Sequence, residues 1–86
     1  MTRDDVYAVV KKYLVRTVDG LQEERIQPTK SMKELGANSL DIVEVVSLSM
    51  RELKVKVPRS ELVKLTDIEG LVELLYSVKE QQAQTA

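Results

Sequence analysis

Hydrophobic and polar positions repeat at helical spacing over the first stretch of the chain. From about Arg3 to Thr17, Val6, Val9, Val10, Tyr13 and Leu14 recur on one side, while Lys11, Lys12 and Arg16 take the other. Thr2 suits the N-cap, Asp4 and Asp5 suit the positive end of the helix dipole, and Asp19 with Gly20 stops the helix. The periodicity then lapses over 18–38. Loops longer than about 12–15 residues in a compact domain are usually functional or tied down. Leu21, Ile26, Met32 and Leu35 are the candidate anchors of this one, and Pro28 keeps Gln27 out of the helical region. Ser31 to Leu35 can form a single turn ended by Gly36.

A second helix begins at Asn38 or Ser39 and runs to about Leu53. Asn38 is a good N-cap, with Asp41 three residues on as a short capping-box acid. Ile42, Val43, Val46, Met50 and Leu53 fall on one face, and Asp41, Glu44, Ser47, Arg51 and Glu52 on the other. Leu40 and Leu48 break the partition by pointing among the acids. Single exposed leucines are ordinary; two beside an acidic strip at a helix start mark Leu40, Asp41, Glu44, Ser47 and Leu48 as a candidate docking surface.

Lys54-Val55-Lys56-Val57-Pro58 alternates like a strand, but with no second strand it cannot form a sheet. It reads as an extended connection that inserts two valines into the core. Ser60 is expected to cap a short helix through about Leu65. A last helix follows with a capping box of Thr66 and Glu69, and with Ile68, Leu71, Val72, Leu75 and Val78 on its apolar side. Beyond Lys79 the polar tail 80–86 is expected to fray, leaving a domain of 1–79. The expected fold is all-α: a four-helix bundle with a long first loop and a short third helix.

Composition narrows the chemistry. The 86 residues hold one small domain, and 43% hydrophobic against 31% charged residues is too apolar for a disordered tail. Thirteen Lys and Arg against fourteen Asp and Glu give a net charge of -1, which argues against a nucleic-acid partner. No Cys and no His are present, so thiolate and imidazole chemistry, Cys-type zinc sites and disulfides are all excluded. No apolar run approaches the roughly 20 residues of a membrane span. A cytoplasmic monomer that serves enzymes is the expectation, with no catalytic residue and no metal site. Locally the charge is uneven. Glu34 to Glu52 holds Glu34, Asp41, Glu44 and Glu52 against Arg51 alone, whereas Leu53 to Lys64 holds Lys54, Lys56, Arg59 and Lys64 against Glu61.

The string Leu35-Gly36-Ala37-Asn38-Ser39-Leu40-Asp41 lies where the long loop meets the second helix. A serine at a helix N-terminus is ordinarily a cap. Here Gly36 and Ala37 leave little bulk around Ser39, and the helix start offers free N–H groups suited to a phosphate ester. Ser31, Ser47, Ser49, Ser60 and Ser77 lack this setting.

On these residues the chain resembles the acyl carrier proteins of fatty-acid and polyketide synthesis. Leu35, Gly36, Ser39 and Leu40 match that family's Leu-Gly-x-Asp-Ser-Leu pattern, and the order of helices, long loop and Val-Lys-Val-Pro connection agrees over nearly the whole chain. The resemblance implies a 4′-phosphopantetheine arm, taken from coenzyme A by a phosphopantetheinyl transferase and attached to Ser39. It also implies acyl-loading and condensing partners such as an acyltransferase, a ketosynthase or an HMG synthase-like enzyme. Two features depart from the pattern. Asn38 stands where the family usually has Asp, which keeps the cap but removes a charge. The near-neutral balance differs from the strongly acidic bacterial fatty-acid carriers and favours a discrete polyketide-type carrier. A peptidyl or aminoacyl carrier, and a small helical adaptor without a prosthetic group, remain the alternatives.

Overall fold

The computed structural model describes residues 1–62, 65 and 67–85. Among these the chain forms α1 (Arg3–Thr17), α2 (Ser39–Leu53), α3 (Arg59–Leu62) and α4 (Ile68–Thr85), with single 3-10 turns at Glu23–Arg25 and Lys33–Leu35. No strand occurs among the described residues. The all-α reading, with its long first loop and short third helix, holds.

Thr2 caps α1 as its sequence suggests. Its Oγ1 accepts the Asp5 N–H at 3.2 Å, and its own N–H donates to Asp5 Oδ2 at 2.9 Å. Val6, Val10 and Leu14, four residues apart, are wholly buried, and α1 packs against both α2 and α4. Arg3 pairs with Glu73 and lies 4.6 Å over the Tyr76 ring, pinning the start of α1 to α4. At the other end of α1, Lys12 Nζ and the Tyr13 hydroxyl both donate to Glu52 Oε1 on α2.

These two donors, Lys12 first, hold the Glu52 carboxyl below its ordinary value of 4.5. A carboxyl depressed in the folded state stabilises the protein above its ordinary pKa and loses that contribution as pH falls through the lower, folded value. Glu52→Gln is therefore expected to lower the melting temperature at neutral pH. Its gap from the parent should close as pH falls below about 4.5, read by thermal melts between about pH 7 and pH 3.

The long loop is tied down by its own apolar residues and by α4. Leu21, Ile26, Leu35 and Ala37 are buried, and Met32 is half-buried against them. The first free N–H groups of α4 are met by loop carbonyls: Ile68 donates to Lys30 O at 3.0 Å and Glu69 to Pro28 O at 2.8 Å. Ser31 and Glu34 exchange side-chain bonds to each other's backbone N–H and close the turn before Gly36. Gly36 has φ +100°, and a β-carbon there would meet only Val18 Cγ1 at 3.7 Å. Its backbone conformation, rather than lack of room, requires glycine.

Several expectations need correction. Val43 was placed on the buried face of α2 but is 60% exposed, while Val45 and Ser49 are wholly buried with Val46 and Leu53. The buried arc is turned so that Ser49, a residue type normally found outside, lies within it. Ser60 does not cap α3, because that helix starts at Arg59 with the Glu61 N–H donating to Pro58 O at 3.0 Å. Among the described residues α3 reaches Leu62, and Leu65 lies outside it. The expected Thr66 cap falls outside the described residues; Asp67 Oδ1 accepts the Gly70 N–H at 2.8 Å and does the capping. Separately, α4 is helical to Thr85, through the stretch expected to fray. Glu80, Gln81, Gln82 and Ala83 are all good helix formers, so nothing local ends the helix at Lys79.

Val55 and Val57 are buried as expected of the connection after α2. The turn into it is made by Lys54 at φ 59°, and Lys79 Nζ of α4 donates to Leu53 O at 2.9 Å, satisfying a terminal carbonyl of α2.

Candidate functional site

The start of α2 is held by Asn38. Its Oδ1 accepts the Asp41 N–H at 2.8 Å, and its own N–H donates to Asp41 Oδ2 at 3.2 Å, a reciprocal capping box. Ala37, only 4% exposed, anchors the loop just before it. Ser39 is then the first residue of the helix and not its cap. The side chain is exposed, and its hydroxyl takes part in no hydrogen bond among the described residues. A serine whose capping work is done by its neighbour is free for other chemistry.

Ser39 stands on the rim of a groove of about 930 Å³. Ile42, Val43, Val46 and Met50 form its α2 wall, Val57, Leu62 and Leu65 the facing side, and Ser31, Met32 and Lys33 the loop edge. Ser47 and Asp67 complete the lining, which is mostly apolar. Two features favour an anionic substituent on the hydroxyl: the N-terminal end of α2, where Ser39 sits, and the Lys33 side chain, which lines the same groove. The residues present therefore suit an ester-linked phosphate on Ser39 carrying a flexible arm that can lie along a largely apolar groove.

The candidate docking residues are spread over more than one environment. Leu40 is 81% exposed, and Glu44 and Ser47 are exposed beside it. Asp41 is half-buried and its carboxylate is engaged with the Asn38 N–H. Leu48 is half-buried as well, so the apolar part of the exposed face is Leu40 with Val43. The sequence reading missed Val43, Lys33 and the groove itself. Only the spacing of Val43, three residues from Leu40 and four from Ser39, could have signalled the first.

Among the described residues, no group of three or more acidic, His or Cys side chains is placed to hold a metal ion. None of the described helices is long and apolar enough to cross a membrane.

Comparison with known proteins bears directly on this site. Residues 12–75 match the family described as the phosphopantetheine attachment site. The chain is 30% identical over 76 residues to the polyketide biosynthesis acyl-carrier-protein AcpK of Bacillus subtilis, spanning 88% of this chain and 93% of that protein. It is 36% identical over 78 residues to the acyl carrier protein of Campylobacter jejuni subsp. doylei, spanning 91% of this chain and 96% of the relative. The fold superposes, with a TM-score of 0.77 and 30% identity, on a chain of the crystal structure of the curacin biosynthetic pathway HMG synthase in complex with acetyl donor-ACP. That match covers 88% of this chain and 96% of the other.

Proposed function

We propose that this chain, which belongs to the acyl carrier protein family, bears its prosthetic arm on Ser39 and serves a polyketide-type pathway. As a member of that family it holds an acyl group as a thioester on 4′-phosphopantetheine, and it is worked on by enzymes rather than being one. The arm supplies, when bound, the thiol that a chain without cysteine lacks.

The observation that carries the assignment is the division of labour at the start of α2. Asn38 caps the helix, and the next residue presents an unbonded hydroxyl at the mouth of an apolar groove. Charging by a phosphopantetheinyl transferase joins Ser39 Oγ to the phosphorus next to pantetheine in coenzyme A. It breaks the pyrophosphate bond and releases adenosine 3′,5′-bisphosphate, with the hydroxyl proton passing to the transferase.

A polyketide-type role is supported by the near-neutral charge and by the likeness to the Bacillus subtilis polyketide carrier. The likeness to a carrier seen with an HMG synthase supports a partner of that kind. In this reading the protein is a discrete carrier of the cytoplasm that passes a small acyl unit to a condensing enzyme. The test is intact mass followed by peptide mapping after incubation with coenzyme A and a transferase. A single phosphopantetheine increment on the Ser39 peptide supports the reading. No increment with any of several transferases favours the adaptor instead. Acetyl-charged protein offered to an HMG synthase and to a fatty-acid ketosynthase then separates the two pathways.

A further inference from the structure

Ser49 is wholly buried, and its hydroxyl finds no hydrogen-bond partner among the described residues. Buried polar side chains are nearly always satisfied, and a hydroxyl that leaves water without gaining a partner destabilises the fold. A helical serine usually bonds the carbonyl one turn back, but Ser49 does not. Among the described residues every other wholly buried side chain of the core is Val, Leu or Ile, so no packing demand explains a hydroxyl in this place.

Its position on α2 suggests a use. Ser49 lies seven residues, close to two full turns, beyond Ile42, and three beyond Val46; both line the groove that opens at Ser39. Met50, the next residue, lines it too. Ser49 itself does not line the groove; wholly buried, it lies behind the α2 wall on the core side, about 15 Å along the helix axis from Ser39. Met50 is unbranched and can change rotamer, so the wall in front of Ser49 is its most adaptable part.

We propose that Ser49 is a specificity-determining residue for the cargo, a hydrogen-bonding group that favours acyl chains bearing a keto or hydroxyl oxygen over fully reduced ones. The hydroxyl can donate to a ketone and can donate to or accept from an alcohol, whereas an alkyl chain leaves it unpaired. The inference rests on the reading of Ser39 as the attachment point and of the groove as the place where the cargo lies.

The experiment charges the protein with hydrolysis-resistant pantetheine analogues carrying octanoyl, 3-oxooctanoyl or 5-oxooctanoyl groups. Intact mass comes first: failure to charge, or charging that survives Ser39→Ala, counts against the attachment reading and is seen before Ser49 is tested. On the charged protein, at least one oxo chain is expected to raise Tm above octanoyl by about 4–8 °C, the shift that one net hydrogen bond gives a domain of this size. The Ser49 amide signal should move with it. Ser49→Ala should abolish the difference while leaving the uncharged protein at least as stable, and Ser49→Thr, which keeps a hydroxyl, should retain it. A difference that persists in Ser49→Ala, or no difference in the parent with either oxo chain, overturns the proposal.

Discussion

Ser39→Ala is expected to take up no phosphopantetheine from coenzyme A with any transferase that charges the parent, a complete loss in the intact mass spectrum. Its folding should hardly change. The α2 cap is the Asn38–Asp41 box, and the Ser39 hydroxyl contributes no bond to it. Ala is, if anything, the better residue in a helix. Asn38→Ala supplies the opposite outcome. It removes the cap and is expected to lose about 0.5–2 kcal/mol, lowering Tm by several degrees, while Ser39 remains present and chargeable. Circular dichroism melts and mass spectra of the two variants, taken together, separate the residue that holds the helix from the one proposed to carry the arm. Charging of Ser39→Ala at the parent rate would refute the assignment outright.

The features legible in the sequence were those set by a few neighbouring residues. Thr2 and Asn38 are caps because an oxygen three residues before a free N–H suffices. The Gly36 turn follows from one residue's freedom at positive φ. Leu21, Ile26, Met32 and Leu35 were identifiable as loop anchors because apolar groups in a polar stretch have few other destinations. What the sequence concealed depends on residues far apart. Eight of the fifteen residues of α2, Ser39–Leu53, are Leu, Ile, Val or Met, so periodicity alone left the direction of its buried arc unsettled by about one residue. Packing against α1 decides it, with Val43 left exposed and Ser49 buried. At the start of α4 the Ile68 and Glu69 N–H groups are met by Lys30 and Pro28 carbonyls from the long loop, a partnership that no local pattern announces. The groove, whose lining runs from Ser31 to Asp67, has no signature in any one segment.

That rotation of α2 also decides how its exposed face should be tested. Leu48 is half-buried, so shortening it would mix a loss of folding stability with any loss of docking. Leu40, 81% exposed, can be shortened without disturbing the core. If a partner enzyme covers it, Leu40→Ala removes roughly two to three buried methylene equivalents at about 0.8 kcal/mol each. Acyl transfer should then fall about ten- to fifty-fold in kcat/KM. Burial of apolar area is insensitive to moderate salt, so this loss should be equal at low and high ionic strength. Glu44 acts differently. Exposed and one turn from Leu40, its carboxylate would steer encounter with a basic partner surface, so Glu44→Lys should reduce the association rate. That effect should shrink as the Debye length falls from about 30 Å at 0.01 M to about 8 Å at 0.15 M. Lys54 and Lys56, exposed just past the end of α2, are oppositely charged to this face, and reversing them should not mimic Glu44→Lys. Transfer rates measured with the same condensing enzyme at the two salt concentrations distinguish these effects. If neither Leu40→Ala nor Glu44→Lys alters transfer with a partner that accepts the parent, docking lies on the loop edge of the groove, around Met32 and Lys33, rather than on α2.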